Sequence, residues 1–245
     1  MLVWSEEFDA LDTNKWKLEH STYGDGGRTL QCYTPEQATV SGGSLVLTAE
    51  KRTETCPNSS ANGPTRDVTS GMVRSKGITF SPGQRIVYRV KLTPNDEANQ
   101  GGLWPSLWAS GWAGGGWPQG GEWDGFEVMT AVDPKRTVFG LHYANSLGNH
   151  AKSSESFYSS SNFSANWHVL EFDYGTDGVM TWRMDGQLMT SQTDLDTLQG
   201  WPAPFDQAMT ELKINLALGG NPGALDARAL PATYAIDYVR IYDLP

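Results

Sequence analysis

The stretch VLEFDYGTDGVMTWRMDGQLMT, Val169–Thr190, consists of three short alternating runs separated by Asp177-Gly178 and Asp185-Gly186. Asp-Gly pairs favour the tight turns of β-hairpins, because glycine accepts a positive φ there. The stretch therefore reads as a meander of Val169–Tyr174, Val179–Met184 and Gln187–Thr190, and it points to antiparallel strands joined by tight turns. Working outward, Arg85–Leu92 (RIVYRVKL) puts Ile86, Tyr88, Val90 and Leu92 on one face and Arg85, Val87, Arg89 and Lys91 on the other. Ser44–Ala49, Thr137–Tyr143, Trp167–Tyr174, Leu212–Leu218 and Tyr234–Tyr242 read as further strands. Helical periodicity is scarce, and Leu195–Leu198 has room for one short turn. Thr53–Thr69, with Asn58-Ser59-Ser60 and Asn62-Gly63-Pro64, reads as a surface loop. The expected fold is all-β: a two-sheet antiparallel β-sandwich with one core, formed by a single domain over residues 1–245.

Composition agrees. Glycine supplies 27 of 245 residues and there are ten tryptophans, while charged residues are 19%. That profile disfavours coiled coils, disordered tails and helical bundles. The net charge of −10 comes from 28 acidic and 18 basic residues. Such a surface repels phosphate backbones and anionic bilayers, so no nucleic acid and no membrane is expected as a partner, and a neutral substrate suits it best. No window approaches the ~18 apolar residues of a membrane span. The opening MLVWSEEFDA lacks the pattern of a signal peptide. Cys32 and Cys56 are too few for a zinc site and too far apart for a CxxC pair; they form one disulfide or stay as two thiols.

The sharpest chemical feature is Gly120-Gly121-Glu122-Trp123-Asp124-Gly125-Phe126-Glu127. Carboxylates on an otherwise apolar strand are costly unless paired or used. Glu122 and Asp124 share a face by alternation, and Glu127 falls on the opposite one. A one-residue bulge at Gly125 would restore the parity and put all three together. Two carboxyl groups ~5–5.5 Å apart suit double-displacement glycoside hydrolysis. Asp124 would then hold its neighbours' pKa values up by like-charge repulsion. A solvated strand face, a hard-metal site and turn caps are the competing readings. Trp104, Trp108, Trp112, Trp117 and Trp123 fall close by, and aromatic faces that stack on sugar rings favour the catalytic reading, with Trp123 pointing away from the acids by parity.

Glu122-Trp-Asp124-Gly-Phe-Glu127 resembles the Glu-x-Asp-x-x-Glu motif of glycoside hydrolase family 16, the laminarinase-like β-glucanases. Val3–Asp9, Leu103–Trp108, Trp117–Gly121, Pro204–Gln207, Asn215–Gly220 and Asp237–Tyr242 are similar to further family segments in the same order. The resemblance implies a jelly roll with a concave substrate cleft. It implies Glu122 as nucleophile, Asp124 as its assistant and Glu127 as general acid/base, with no cofactor for catalysis. It implies substrate contacts from Trp104, Trp108, Trp117, His142 and Arg74. It also implies a structural calcium held by Glu7, the Gly43 carbonyl and Asp237. The chain departs from the family pattern at Trp123, Gly125 and Phe126, at Gly27-Arg28-Thr29, and at Met72 with Arg74 two residues on.

The activity expected is a secreted, monomeric, retaining endo-β-1,3-glucanase. The alternatives are hydrolysis or transglycosylation on mixed-linkage β-glucan, β-galactan or agar- and carrageenan-type glycans, and a catalytically silent glycan-binding protein.

Overall fold

The computed structural model describes residues 1–24, 27–57, 63–110 and 116–245. Trp112 and residues 58–62 of the expected loop lie outside the described residues. In chain order the first strands are β1 (Leu2–Glu6), β2 (Trp16–Leu18), β3 (Cys32–Tyr33), β4 (Ala38–Ser41), β5 (Ser44–Thr55) and β6 (Thr65–Ser70). There follow β7 (Met72–Ser75), β8 (Gln84–Thr93), β9 (Leu103–Ser110), β10 (Glu122–Val128), β11 (Arg136–Ala144) and β12 (His150–Tyr158). The last are β13 (His168–Tyr174), β14 (Met180–Met184), β15 (Gln187–Gln192), β16 (Lys213–Leu218) and β17 (Ala232–Asp243).

These strands form two sheets. One runs β12-β11-β10-β9-β16-β7-β2 and carries the cleft. The other runs β15-β14-β13-β8-β17-β5-β6-β3, with β1 added on β17 and β4 on β5. Pairing is antiparallel apart from β3 with β6. The expected two-sheet sandwich is the one observed, and the meander β13-β14-β15 pairs in sequence order. Asp185 and Gly186 both take positive φ, as the tight turn between β14 and β15 requires. Two expectations change. The supposed loop Thr53–Thr69 is strand at both ends, because Glu54 and Thr55 pair with Arg66 and Thr65. Leu195–Leu198 forms no helical turn; Thr197 instead bridges Asn145, and the turn closes from Thr197 to Gly200.

The core lies between the sheets. Ile86, Tyr88, Val90 and Leu92 of β8 are fully buried, as their alternation requires. Facing them across the sandwich, Trp123 and Phe126 of β10 are equally buried. Trp123 packs 4.9 Å from Phe172 and Phe126 packs 4.8 Å from Phe163, ring centre to ring centre. Deleting an aromatic side chain from such a core typically costs about 3–5 kcal/mol.

Cys32 and Cys56 form a disulfide, which ties β3 to the end of β5. Its loop spans 24 residues. A Cys32→Ser/Cys56→Ser variant is expected to lose up to about 3 kcal/mol of unfolding free energy in urea titrations. Unchanged stability would mean that the unfolded chain gains nothing from release of the loop.

Candidate active site

Alternation on the cleft sheet separates two sets of residues. On β9, Leu103, Leu107 and Ala109 enter the core, while Trp104, Ser106, Trp108 and Ser110 face a cavity of about 640 Å³. On β16, Ile214, Leu216 and Leu218 are core, and Asn215 and Ala217 face the cavity. Glu122, Asp124 and Glu127 of β10 all line it, whereas Trp123 and Phe126 do not.

A bulge makes this possible. Asp124 pairs with Gly140 of β11, but Glu127 pairs with Val138, so β10 carries one more residue than its partner. The same slip appears against β9, between Asp124 and Phe126. The extra residue is Gly125, as parity demanded. The reason for glycine differs from the dihedral freedom expected: Gly125 is absent from the residues with positive φ. A Cβ at this position would lie 2.5 Å from the Trp123 ring and 2.7 Å from the Tyr88 hydroxyl, far inside contact distance. Space, not φ, excludes a side chain. From the opposite sheet the Trp182 indole N–H donates to the backbone carbonyl of Asp124 at 3.2 Å, just before the bulge.

The three carboxyl groups share a largely desolvated space. Burial, and then the charge of Glu127, push Glu122 up to about 7. Burial pushes Glu127 up to about 7, while a hydrogen bond from the Trp104 indole, 2.8 Å from Oε1, pulls the other way. Asp124 is raised well above the usual carboxylate range by burial and by both glutamates. Three acids in one low-dielectric site cannot all ionise, so protons are shared among them near neutrality. His142 Nε2 lies 3.4 Å from Asp124 Oδ2, and His142 Nδ1 lies 2.8 Å from His150 Nε2. Burial, then His150 and Lys152, lower His142 to about 4, so this imidazole is neutral at pH 7. Glu122, Asp124 and His142 bring donor atoms within 4.8 Å of one another. Carboxyl groups that hold protons near neutrality suit acid–base chemistry better than a cation.

The flanking residues divide. Trp104, Trp108, Trp117 and His142 line the cavity as expected. The Trp108 indole donates to Asn215 Oδ1 at 2.7 Å, and Asn215 Nδ2 donates to the Tyr33 hydroxyl at 3.1 Å, which fixes the ring. Trp117 is half exposed at the rim, 4.5 Å from the His150 ring. Arg74 does not line the cavity. Its guanidinium is held by Glu211 through Nε at 3.0 Å and Nη2 at 2.9 Å, and it lies over the Tyr23 ring at 4.9 Å. Tyr23 takes the lining position instead.

Two of the three residues expected to hold calcium, Glu7 and Asp237, have arginine partners. Glu7 is gripped through both carboxylate oxygens by Arg240, at 2.9 and 2.7 Å, and Asp237 accepts from Arg89 at 2.7 Å. An arginine already neutralises each charge that a cation would need. The two ends of the chain are joined by the β1–β17 ladder and the Glu7–Arg240 pair.

His150, Tyr23 and Asn215 also face the cavity, beyond the residues expected to touch substrate. His150 reaches it because Ala144 pairs with His150 and His142 with Lys152, a hairpin register invisible in composition. Asn215 stood inside the quoted Asn215–Gly220 segment, and its polar side chain in an apolar strand was the available signal.

No family model matches the chain. It is 28% identical, over 98% of its own length, to glucan endo-1,3-beta-glucosidase A1 of Niallia circulans, and 29% identical over 98% to a beta-glucanase of Rhodothermus marinus. It spans 37% of the first relative and 84% of the second. The laminarinase catalytic domain of Thermotoga maritima superposes with a TM-score of 0.81, covering 99% of this chain and 98% of that one at 29% identity.

Proposed function

We infer that this laminarinase-like chain is a retaining endo-glycosidase acting on β-1,3-linked glucan, with Glu122 as nucleophile and Glu127 as general acid/base. The observation that carries the reading is the Gly125 bulge, which turns both glutamates to one cavity. A Glu122 oxygen attacks the anomeric carbon while the Glu127 proton passes to the departing glycosidic oxygen. The products are a glycosyl ester on Glu122 and a free chain end. Glu127, now ionised, takes a proton from water; that water attacks the anomeric carbon and releases Glu122. Burial supports both halves of the cycle, since a glutamic acid near 7 holds a proton to give and can take one back. Asp124, held above the usual carboxylate range by burial and by both glutamates, is suited to hydrogen-bond the nucleophile. No step calls for a metal or cofactor.

Trp104, Trp108 and Trp117 offer aromatic faces for pyranose rings, and His142 offers a neutral imidazole beside Asp124. The reading takes residues 1–245 as one catalytic domain acting outside the cell, where a polymeric substrate is met. Related relatives named for β-glucan cleavage support glucan as the polymer. A product profile over laminarin, lichenan, agarose, carrageenan and β-galactan tests it. Oligosaccharides of several lengths from laminarin are expected; release from another glycan but not from laminarin would overturn the substrate.

Trp104→Phe keeps a ring in the cavity and removes the indole N–H from Glu127. That bond favours the ionised carboxylate, so its loss raises the Glu127 pKa. The alkaline limb of kcat/KM, which requires protonated Glu127, is expected to move up by about one pH unit. An unmoved limb would mean that the bond does not tune the acid.

A further inference from the structure

The charge network behind Trp108 contains a cation that the reaction above does not use. Lys213 opens β16, whose next residue Ile214 is in the core, so the Lys213 side chain starts on the cleft face. It is nevertheless 2% exposed. Trp108 covers it, with Nζ 4.7 Å from the ring centre. Nζ lies 3.3 Å from Glu211 Oε2 and 3.2 Å from Ser110 Oγ. Ser110 is the residue directly opposite Glu122 in the β9–β10 ladder. Side chains opposite one another in an antiparallel pair are neighbours on one face. Lys213 therefore ends next to the glutamate proposed as nucleophile, on the side away from Glu127.

A buried ammonium is costly unless its charge is matched or used. Glu211 matches it incompletely, because Arg74 already holds both oxygens of that carboxylate. Arg74 also touches Glu19 at 3.4 Å, and Glu19 meets Lys17 at 3.2 Å. The chain Lys17–Glu19–Arg74–Glu211–Lys213 thus holds three cations against two carboxylates, and its most deeply buried member lies nearest Glu122. The other titratable groups acting on Glu122 are Glu127 and Asp124 on its own strand, with His142 on β11 and Tyr23 across the cavity. Of these, two are acids, one is a neutral imidazole and one is a phenol. Lys213 is the cation that favours a charged Glu122, and a hydrogen bond from the Trp117 side chain acts in the same direction.

Resting on the two-glutamate reading above, we propose that Lys213 is a positioning residue that breaks the symmetry between the two glutamates, holding Glu122 as the carboxylate so that Glu127 keeps the shared proton. The mutual attraction of Glu122 and Lys213 agrees with this arrangement and works against the burial that lowers the lysine's own pKa, while Lys152 and Arg136 pull on Glu127 from the other side.

Lys213→Met removes the charge and keeps the length; Lys213→Arg keeps the charge; Lys213→Gln serves as the second neutral variant where Met does not fold, as judged by near-UV circular dichroism. The acidic limb of kcat/KM on laminarin, which requires ionised Glu122, is expected to move up by about one pH unit in the neutral variants. That is a loss of about tenfold at pH values below the limb, with KM little changed. Lys213→Arg should restore the limb. Carboxyl 13C NMR of Glu-labelled protein, with Glu122 assigned from Glu122→Gln, reads the same titration without substrate. A Glu122 titration that stays at its wild-type midpoint in a folded neutral variant overturns the proposal. A wild-type protein that cleaves no glycan overturns the enzymatic reading instead, and the NMR midpoint still decides the role of Lys213.

Discussion

Glu122→Ala is expected to lower kcat on laminarin by on the order of 10⁴-fold or more, the scale lost when a covalent nucleophile is deleted. The fold should survive, because the Glu122 side chain faces the cavity and contributes nothing to the core. Azide should restore part of the rate on an activated aryl β-glycoside. The small anion enters the vacated space, forms the bond to the anomeric carbon and gives a glycosyl azide of inverted configuration. Glu127→Ala should differ in kind. Polysaccharide cleavage should fall by about 10²–10⁴-fold, while glycosides with good leaving groups, which need no proton, lose far less in the first step. Azide should then give a product of retained configuration, because Glu122 still forms the covalent intermediate. Wild-type-like hydrolysis in either variant would sink the two-glutamate mechanism, and exchanged azide outcomes would exchange the two roles.

Gly125→Ala is expected to be the most damaging single-methyl change near the site. The added carbon would lie 2.5 Å from Trp123 and 2.7 Å from the Tyr88 hydroxyl, both fully buried. Overpacking of this kind costs about 1–3 kcal/mol. The larger effect should be on rate: the chain must move at the residue that sets the spacing of Asp124 and Glu127, and about 1 Å of misplacement costs on the order of 100-fold. Combining it with Tyr88→Phe removes one of the two clashes, so the double variant should regain part of the thermal stability. Normal activity in Gly125→Ala would show that the bulge tolerates a side chain and that the close approach of Trp123 is not what requires glycine.

The fold was legible wherever one face of a strand is core. Arg85–Leu92 and Val169–Thr190 alternate cleanly because half of their residues meet the other sheet. The bulge was legible because three acids on one apolar strand violate parity in a way that one inserted residue repairs. The need for glycine there was misjudged, since the obstacle comes partly from Tyr88, on a strand that sequence distance hides. Arg74 was expected against substrate and is instead engaged by Glu211, a partner 137 positions away. The partners of the expected calcium ligands were hidden in the same manner: Arg240 and Arg89 pair with Glu7 and Asp237, and neither arginine is adjacent in sequence to its partner. Local pattern reports which face a residue occupies, and the identity of its neighbours on that face follows only from strand order and register.

The alternation along β9 and β16 has a consequence for how this protein can change. Trp104, Ser106, Trp108 and Ser110 alternate with Leu103, Leu107 and Ala109, so two residue sets with separate duties are interleaved in a few turns of pleat. Substitutions in the first set alter which glycan surface is met and leave the packing between sheets untouched; substitutions in the second do the reverse. Residues on opposite faces share few contacts, so their energetic effects should largely add. A lineage descending from this chain, or a laboratory library built on it, can therefore diversify recognition at Ser106 without first accumulating reserves of stability, whereas Ser110 also serves the buried Lys213 ammonium. β10 is where that freedom ends. There the bulge, the Trp182 bond and the carboxyl groups occupy consecutive residues, and a change made for one duty is felt by the other.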